Sequence, residues 1–191
     1  MEKKFNVIQN WPVSHFFYRM SINFQERLFI CGRAERDDYQ SRGLSHVVGI
    51  ANPGAPPFST PWFNGSHLQL WFGDVTSEAD ATFWKTSAPN LNDIQRALEF
   101  VRIAWSVKES KVLVSCDYGA SRSPALAYLF IADHLGVGRE AEALRQMLQI
   151  RPHTIPNGVL VRLGDTFLNR HGKLIQPLRD LYFDINTELS K

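Results

Sequence analysis

Four short apolar runs along the chain predict β-strands. Runs of about four to eight apolar residues, bounded by glycine, proline or asparagine, are typical of buried strands. Gly32 and the pair Asn52-Pro53 supply such boundaries here. The strands are predicted at 27–31, 45–51, 67–72 and 111–115.

Apolar residues at helical spacing predict helices between and after these strands. Asn90 or Asn92 supplies an N-terminal cap for one helix, and Arg151-Pro152 stops another. A charged run that ends at Gly43 predicts a short helix. The helices are predicted over 35–42, 91–105, 124–135, 138–150 and, as the last one, 157–168. The proline-rich stretch 52–66 and the polar stretch 73–89 are predicted to be irregular.

Strands that alternate with helices predict an α/β fold. We expect a single domain of the three-layer type, in which helices flank a central, mostly parallel, twisted sheet. In such sheets ligands bind beyond the carboxyl ends of the strands. The loop that follows strand 111–115 is therefore the expected position of a functional site.

The composition narrows the class of protein without identifying it. With 44% hydrophobic and 21% charged residues among 191, the chain resembles ordinary soluble globular proteins, and its net charge of +2 argues against bulk nucleic-acid binding. No apolar run reaches membrane-spanning length, and the N-terminus lacks the apolar region of a secretory signal. The two cysteines suggest no disulfide framework, and the six histidines show no metal-ligand spacing. We expect a cytoplasmic protein with no cofactor, no metal, and no nucleic-acid or membrane partner; nothing in the sequence sets its oligomeric state.

The most informative segment follows strand 111–115. It begins at Cys116, passes through small and polar residues, and closes on Arg122, after which Pro124 opens a helical pattern. Inward backbone N–H groups and the N-terminus of the next helix both favour an anion in such a loop. A planar guanidinium suits two phosphate oxygens. This segment, the anion loop (residues 116–122), is predicted to hold an oxyanion over a thiol.

The spacing of the anion loop resembles a known signature. Cysteine, five residues, arginine and then serine, carried by Cys116, Arg122 and Ser123, is the signature of the cysteine-dependent protein tyrosine phosphatases. Gly119 stands where that family keeps a glycine so that the loop can turn around phosphate. The resemblance implies a phosphatase with the fold of that superfamily.

The similarity extends more diffusely over residues 27–172. Phe72-Gly73-Asp74 and Pro156-Asn157 follow in the order seen in a bacterial group of predicted tyrosine phosphatases related to the dual-specificity phosphatases. The resemblance implies a phosphatase core over 27–172. The remaining residues would form an N-terminal extension packed on the core (1–26) and a C-terminal tail (173–191).

The resemblance also implies roles within the loop. Cys116 would attack phosphorus to form a phosphocysteine, Arg122 would hold the equatorial oxygens, and Ser123 would hydrogen-bond the leaving thiolate. The rest of the phosphate-binding set would be Asp117, Tyr118, Gly119, Ala120 and Ser121, through their backbone. The alternative is a structural role for Cys116 as a small buried hydrophobic residue at the end of a strand.

A leaving oxygen needs a proton, and the family supplies it from an aspartate upstream of the cysteine. Asp74 follows the strand 67–72 and should emerge at the same end of the sheet as Cys116. It is therefore the expected general acid. Glu78 and Asp80, on the loop that follows, are its rivals, and a simple turn role for Asp74 is the alternative.

Two residues depart from the family pattern. Ser115 stands where the family has a histidine that helps its nucleophile to ionise. Asp117 places a carboxylate directly after the nucleophile, and we expect its side chain to face away from the bound phosphate. These departures keep open a second hypothesis, a catalytically weak or inactive module that binds phosphate or phosphopeptides.

The substrate class follows from what the anion loop contains. Its interior has no lysine, whereas inositol-lipid phosphatases of this architecture carry extra basic residues there. We therefore expect a phosphorylated protein, with phosphotyrosine as the main substrate and dual specificity left open, or a small aryl phosphate. A related thiolate enzyme such as a sulfurtransferase is a third hypothesis, under which Asp74 would be dispensable.

Overall fold

One parallel sheet organises the structure, a computed structural model that describes residues 22–189. Its four strands run in the order β1-β4-β2-β3, and every neighbouring pair is parallel. The α/β class and the parallel sheet are thus confirmed, with strand ends close to the predicted ones. Most of the predicted N-terminal extension, residues 1–21, lies outside the described residues. The strands are β1 (Leu28–Cys31), β2 (His46–Ala51), β3 (Ser66–Trp71) and β4 (Val112–Ser115).

The helices begin where local capping chemistry favours them. The Asn90 side chain accepts hydrogen bonds from the N–H groups of Asn92 and Asp93, and Gly43 ends a 3₁₀ helix in the left-handed conformation. The helices are α1 (Phe24–Arg27), the 3₁₀ helix (Arg33–Arg42), α2 (Glu78–Phe83), α3 (Leu91–Trp105), α4 (Arg122–Leu135), α5 (Glu140–Ile150), α6 (Gly158–Phe167) and α7 (Ile175–Leu189).

Three helices were not predicted: the single-turn α1, the short α2 and the C-terminal α7. Within the polar stretch 73–89, the Ser77 side chain accepts from the Asp80 N–H and starts α2. Beyond the helix that was expected to be the last, α7 forms in place of an irregular tail. Leu174 and Leu178 are buried against the core, so apolar burial holds the start of α7 in place.

The sheet has a thick layer on one face and a thin layer on the other. Helix α4 packs against β1 and β4 and is itself surrounded by α3, α5 and α6, so its side chains are almost all buried. Alternation along β4 sends Val112 and Val114 into this helical layer and Leu113 to the opposite face. There the 3₁₀ helix and the loop 52–66 supply the cover, including Phe58. The anion loop emerges between these two layers.

Candidate active site

The anion loop joins the end of β4 to the start of α4 and places a sulfur atom at its floor. The Cys116 Sγ accepts a hydrogen bond from the Gly119 N–H at 3.3 Å and lies 3.2 Å from the Ser123 Oγ. Cys116 is only 1% exposed, yet both of these contacts are polar. Cys116 thus packs within the main apolar cluster while its sulfur has two polar contacts, a hydroxyl and a backbone N–H group.

Gly119 makes the turn of the loop possible. Its φ of +68° lies in the left-handed region, and a Cβ there would stand 2.5 Å from the backbone nitrogen of Gly32. A side chain would also meet the carbonyl carbon of Cys31. Any other residue at this position would push the loop away from β1 and displace the N–H group that contacts the sulfur.

Neighbouring segments bind the carbonyl groups of the loop from outside. The Asp117 carbonyl accepts from the Arg33 N–H at 2.9 Å, and the Ala120 carbonyl accepts from the Ile155 N–H at 2.9 Å. The Ser121 carbonyl accepts from the N–H groups of Asn157 and Ala125, both at 3.1 Å. Because the carbonyls are engaged on the outside, the N–H groups are left to face the centre of the loop.

The Arg122 side chain is buried beside the loop with its guanidinium partly occupied. Nη1 donates to the Asn52 Oδ1 and to the Phe72 carbonyl, both at 2.9 Å, and this fixes the plane of the fork. Nη2 donates to the Asp117 Oδ2 at 2.6 Å. Nε is buried without a hydrogen-bond partner among the described residues, 3.7 Å from the Asp74 Oδ2. Nε is thus a donor that an oxyanion can use.

The Asp117 carboxylate lies against Arg122, which contradicts the expectation that it would face away from the anion. Arg33 contributes the second cation, 3.0 Å from the Asp117 Oδ1. Burial opposes ionisation of Asp117, but the hydrogen bonds from the two guanidinium groups outweigh it and hold the pKa of Asp117 below its ordinary value. The loop therefore carries a resident carboxylate on the Nη2 of Arg122.

Asp74 leaves the end of β3 and reaches the rim of the anion loop. Its Oδ1 accepts hydrogen bonds from the Ser121 Oγ at 2.7 Å and the Asn157 Nδ2 at 2.8 Å. Asn157 also caps α6, because its own Oδ1 accepts from the N–H groups of Val159 and Leu160. One asparagine therefore couples the start of α6 to the position of the Asp74 carboxylate.

The two rivals of Asp74 have other environments. The Asp80 carboxylate accepts from the backbone and hydroxyl of Thr76, and these hydrogen bonds lower its pKa. Glu78 is exposed in the first turn of α2. Within the described residues neither carboxylate has a hydrogen bond or ion pair to the anion loop. The geometry thus brings Asp74, and not these two, to the loop.

Ser115, the residue before Cys116, points to the thin layer of the sheet. It stands level with Cys31 on β1, and its Oγ accepts a hydrogen bond from the Arg36 Nε at 3.1 Å. Burial raises the pKa of Cys31 to about 11, although Ser115 and Arg36 oppose the rise. Cys31 is therefore a neutral thiol at physiological pH.

The structure thus gathers the predicted residues, and it adds partners that the sequence did not reveal. Cys116, Arg122, Ser123 and Asp74 converge on the loop, while the Tyr118 side chain is 82% exposed and only its backbone belongs to the site. The added partners are Asn52, Asn157, Arg33 and Arg36. Asn157 had a detectable signal as a helix cap; the others lie in charged or turn-rich segments that look solvent-exposed in sequence.

Within residues 22–189 no group of three or more histidine, cysteine, aspartate or glutamate side chains is arranged to hold a metal ion. The helices in this part of the chain also include none that is both long and apolar enough to cross a membrane. The side chains that the structure gathers at the anion loop are a thiol, a guanidinium, a hydroxyl and a carboxylate.

Solved structures similar to this one share its architecture. Human DUSP28 is 17% identical, with 74% of this chain and 91% of that chain covered and a TM-score of 0.57. The human tyrosine phosphatase-like serine/threonine/tyrosine-interacting protein is 18% identical, with 73% and 89% covered and a TM-score of 0.56. PTPMT1 in complex with PI(5)P is 17% identical, with 75% and 91% covered and a TM-score of 0.53.

No protein-family model and no curated protein matches the chain. At these sequence identities the structural likeness establishes the fold. The protein therefore has the fold of the dual-specificity phosphatases.

Proposed function

We propose that the protein is a cysteine-dependent phosphatase that hydrolyses phosphomonoesters, with protein phosphotyrosine as its main substrate class. One observation carries the proposal: the Cys116 sulfur accepts a hydrogen bond from the inward N–H group of Gly119, the Arg122 Nε has no partner among the described residues, and Asp74 lies at the rim of the same loop. A dianionic phosphate seated in the loop would meet donors on its oxygens and a nucleophile behind phosphorus.

In the first step, the Cys116 thiolate attacks phosphorus and the bond from phosphorus to the leaving oxygen breaks. The leaving oxygen takes a proton from Asp74. The Asp74 Oδ1 is occupied by two hydrogen bonds, which leaves Oδ2, the oxygen nearer to Arg122, to transfer the proton. The product is a phosphocysteine and a free phenol or alcohol.

In the second step, water attacks the phosphorus of the phosphocysteine and gives its proton to the Asp74 carboxylate. The sulfur–phosphorus bond breaks, inorganic phosphate leaves, and Cys116 returns as a thiolate. The Ser123 hydroxyl, 3.2 Å from the sulfur, donates a hydrogen bond to the thiolate that departs. Throughout both steps Arg122 neutralises the charge on the equatorial oxygens.

The substrate class rests on the loop and its surroundings. The anion loop contains no lysine that would meet a second phosphate group, which favours a phosphoprotein or a simple aryl phosphate over an inositol lipid. We assign the activity to a single domain whose core spans residues 27–172. The active thiol needs a reducing compartment, so we place the protein in the cytoplasm.

A second candidate function is a module that binds phosphorylated partners with little or no turnover. The observation that favours it is the Asp117 carboxylate, which occupies the Nη2 of Arg122 in competition with phosphate. Ser115, in place of the histidine expected by resemblance, points in the same direction. One structural neighbour is itself described as phosphatase-like and as an interacting protein.

Two assays on matched proteins separate the two functions. The first measures hydrolysis of p-nitrophenyl phosphate and of a phosphotyrosyl peptide by the wild-type protein and by Cys116→Ser; the second measures binding of the same peptide by calorimetry. The phosphatase proposal expects turnover that Cys116→Ser abolishes while peptide binding persists. Peptide binding by the wild-type protein without any turnover would replace the phosphatase by the binding module.

A further inference from the structure

Arg36 is a buried cation in a helix that is otherwise charged and exposed. Only 5% of it is accessible, although it belongs to the 3₁₀ helix Arg33–Arg42. Its Nε donates to the Ser115 Oγ at 3.1 Å, and its guanidinium carbon lies 4.1 Å from the centre of the Phe58 ring. Its Nη2 is buried without a hydrogen-bond partner in the part of the chain that the structure describes.

Arg36 also lacks a carboxylate partner. None of the ion pairs among the described residues includes it, so a hydroxyl and an aromatic face are its main contacts. A buried charge without a counterion is costly, and proteins keep one where another anion compensates for it. The charged and titratable groups that face Arg36 are Arg33 from its own helix, Cys31 from β1, His67 from β3, and Cys116 and Asp117 from the anion loop.

Two of these neighbours are neutral at physiological pH. Burial raises the pKa of Cys31 to about 11, and burial together with Arg36 holds the pKa of His67 below its ordinary value. Burial and Arg33 lower the pKa of Arg36, whereas the anion loop acts in the opposite direction; a guanidinium keeps its proton under such conditions. The anions available to Arg36 are therefore those of the anion loop.

The other cations of the loop are already matched. Arg33 lies within ion-pair distance of Asp117, and Arg122 lies within ion-pair distance of Asp117 and Asp74, so both cations are shared with carboxylates in the free protein. A thiolate at Cys116 would compete with these carboxylates for them. Arg36 has no carboxylate within ion-pair distance among the described residues, and Ser115, the residue that contacts it, is bonded directly to Cys116.

We propose that Arg36 is a positioning residue that supplies the uncompensated positive charge beneath the anion loop and, through Ser115, favours the thiolate of Cys116. The contribution of Arg36 to catalysis rests on the proposed phosphatase function. The effect of its charge on the Cys116 thiolate does not depend on that function. Arg36 thereby takes the place of the histidine that Ser115 replaces, from a different element on the same face of the sheet.

The test measures thiolate formation directly, without any phosphate ester. In a Cys31→Ala background, where Cys116 is the one remaining cysteine, the rate of alkylation by iodoacetamide is followed between about pH 5 and pH 9. Arg36→Gln keeps a donor for Ser115 and removes the charge. We expect its profile to move to higher pH by about one unit, so that alkylation on the acidic side is about tenfold slower. Arg36→Lys, which restores the charge, should recover most of the shift.

Arg170→Met is the matched control, because Arg170 is also buried but belongs to a different cluster, beside Glu140. It should lower the melting temperature and leave the alkylation profile in place. If the folded Arg36→Gln protein has the same midpoint in its pH profile of alkylation as the parent protein, the proposal is overturned and Arg36 has only a structural role. A change in rate at every pH without a shift of the midpoint would also count against it, since altered access to the sulfur gives that result.

The same experiments give different results if the phosphatase proposal fails and if the Arg36 proposal fails. If Arg36→Gln shifts the alkylation profile while the wild-type protein hydrolyses no phosphate ester, the charge effect stands and the enzymatic proposal falls. If hydrolysis is normal and the profile does not move, the phosphatase stands and the role of Arg36 falls.

Discussion

Two buried clusters in this protein both contain an arginine, and they differ in how its charge is balanced. In the helical layer, Arg170 donates to Glu140 at 3.3 Å and to the Ala132 carbonyl at 3.1 Å. Nearby, both oxygens of Asp165 accept backbone N–H groups, and the Tyr128 hydroxyl donates to the Leu174 carbonyl at 3.1 Å. Each charged side chain of this cluster has a fixed partner.

At the anion loop the balance is different. Arg122 shares its guanidinium between an amide, a carbonyl and the Asp117 carboxylate, whereas Arg36 forms no ion pair with a carboxylate of residues 22–189. An unpartnered nitrogen does not by itself distinguish the two clusters, because the Nε of Arg170 is also unpartnered. The difference lies in the surplus of positive charge around Cys116. The cluster around Arg170, in which each charged side chain has a fixed partner, is the closed cluster, and it stabilises the fold. The cluster around the anion loop is the open cluster, and its surplus of positive charge is suited to bind an anion.

The largest expected effect separates the two arginines by their function. Arg122→Lys replaces a planar fork by a point charge, so we expect kcat/KM for an aryl phosphate to fall about 10³-fold, or about 4 kcal/mol of transition-state stabilisation. Steady-state kinetics on the folded variant measure this. Arg170→Lys is the control and should leave kcat/KM unchanged. Comparable losses of activity in both variants would erase the distinction between the clusters.

The next largest effect is expected in the Arg170 cluster, where a substitution should lower stability and leave activity unchanged. Glu140→Gln leaves the guanidinium of Arg170 buried without its counterion, and both side chains are 5% exposed. We expect the free energy of unfolding in urea to fall by about 3 kcal/mol, with normal kinetics for the folded protein. Glu142→Gln on the same helix removes an exposed partner of Arg139 and should leave the unfolding curve unchanged. Equal curves for the two variants would show that the closed cluster contributes no stability.

The third effect tests the carboxylate at the rim of the open cluster. Asp74→Asn cannot donate the proton, so hydrolysis of aryl phosphates with poor leaving groups should slow about 100-fold, while good leaving groups are affected much less. A plot of rate against leaving-group pKa measures the difference. Asp80→Asn should behave like the wild-type protein. Equal slowing across the series would remove Asp74 from the acid role.

The smallest effect concerns the resident carboxylate. Asp117→Asn removes the charge that competes for the Nη2 of Arg122, so inhibition by inorganic phosphate should strengthen about fivefold, roughly 1 kcal/mol. Competitive inhibition constants at constant ionic strength measure this, with Glu142→Gln as a charge-matched control. Weaker inhibition would show that Asp117 orients Arg122 and does not compete with the ligand.

Local sequence signals were sufficient for most of the fold. The strands were predictable because buried parallel strands are short apolar runs, and Asn90 and Asn157 precede α3 and α6 as caps. The start of α7 was missed although Leu174 and Leu178 have helical spacing, because its stability comes from packing on α5 and α6. The short helix α2 was missed because its sequence is polar.

The candidate site could be predicted from the sequence only where its residues lie close together along the chain. Cys116, Arg122 and Ser123 belong to one continuous loop and helix start, so their spacing is visible in the sequence. Asp74 could be placed because it follows the end of a predicted strand. Arg36 could not, because a charged run such as 33–42 normally forms a solvated face, and only the pairing of β1 with β4 brings it under Ser115. For the same reason the direction of Asp117 was predicted wrongly: its partner Arg33 is distant in sequence.

The most direct measurement is the identification of the covalent intermediate. Ser123→Ala, which removes the hydroxyl 3.2 Å from the sulfur, should slow the second step, so the protein is mixed with p-nitrophenyl phosphate, quenched in acid and analysed by peptide mass spectrometry. The account predicts one phosphoryl group on the peptide that contains Cys116, and none on Cys31. Turnover with an unmodified Cys116, or turnover that survives in Cys116→Ser, would contradict it.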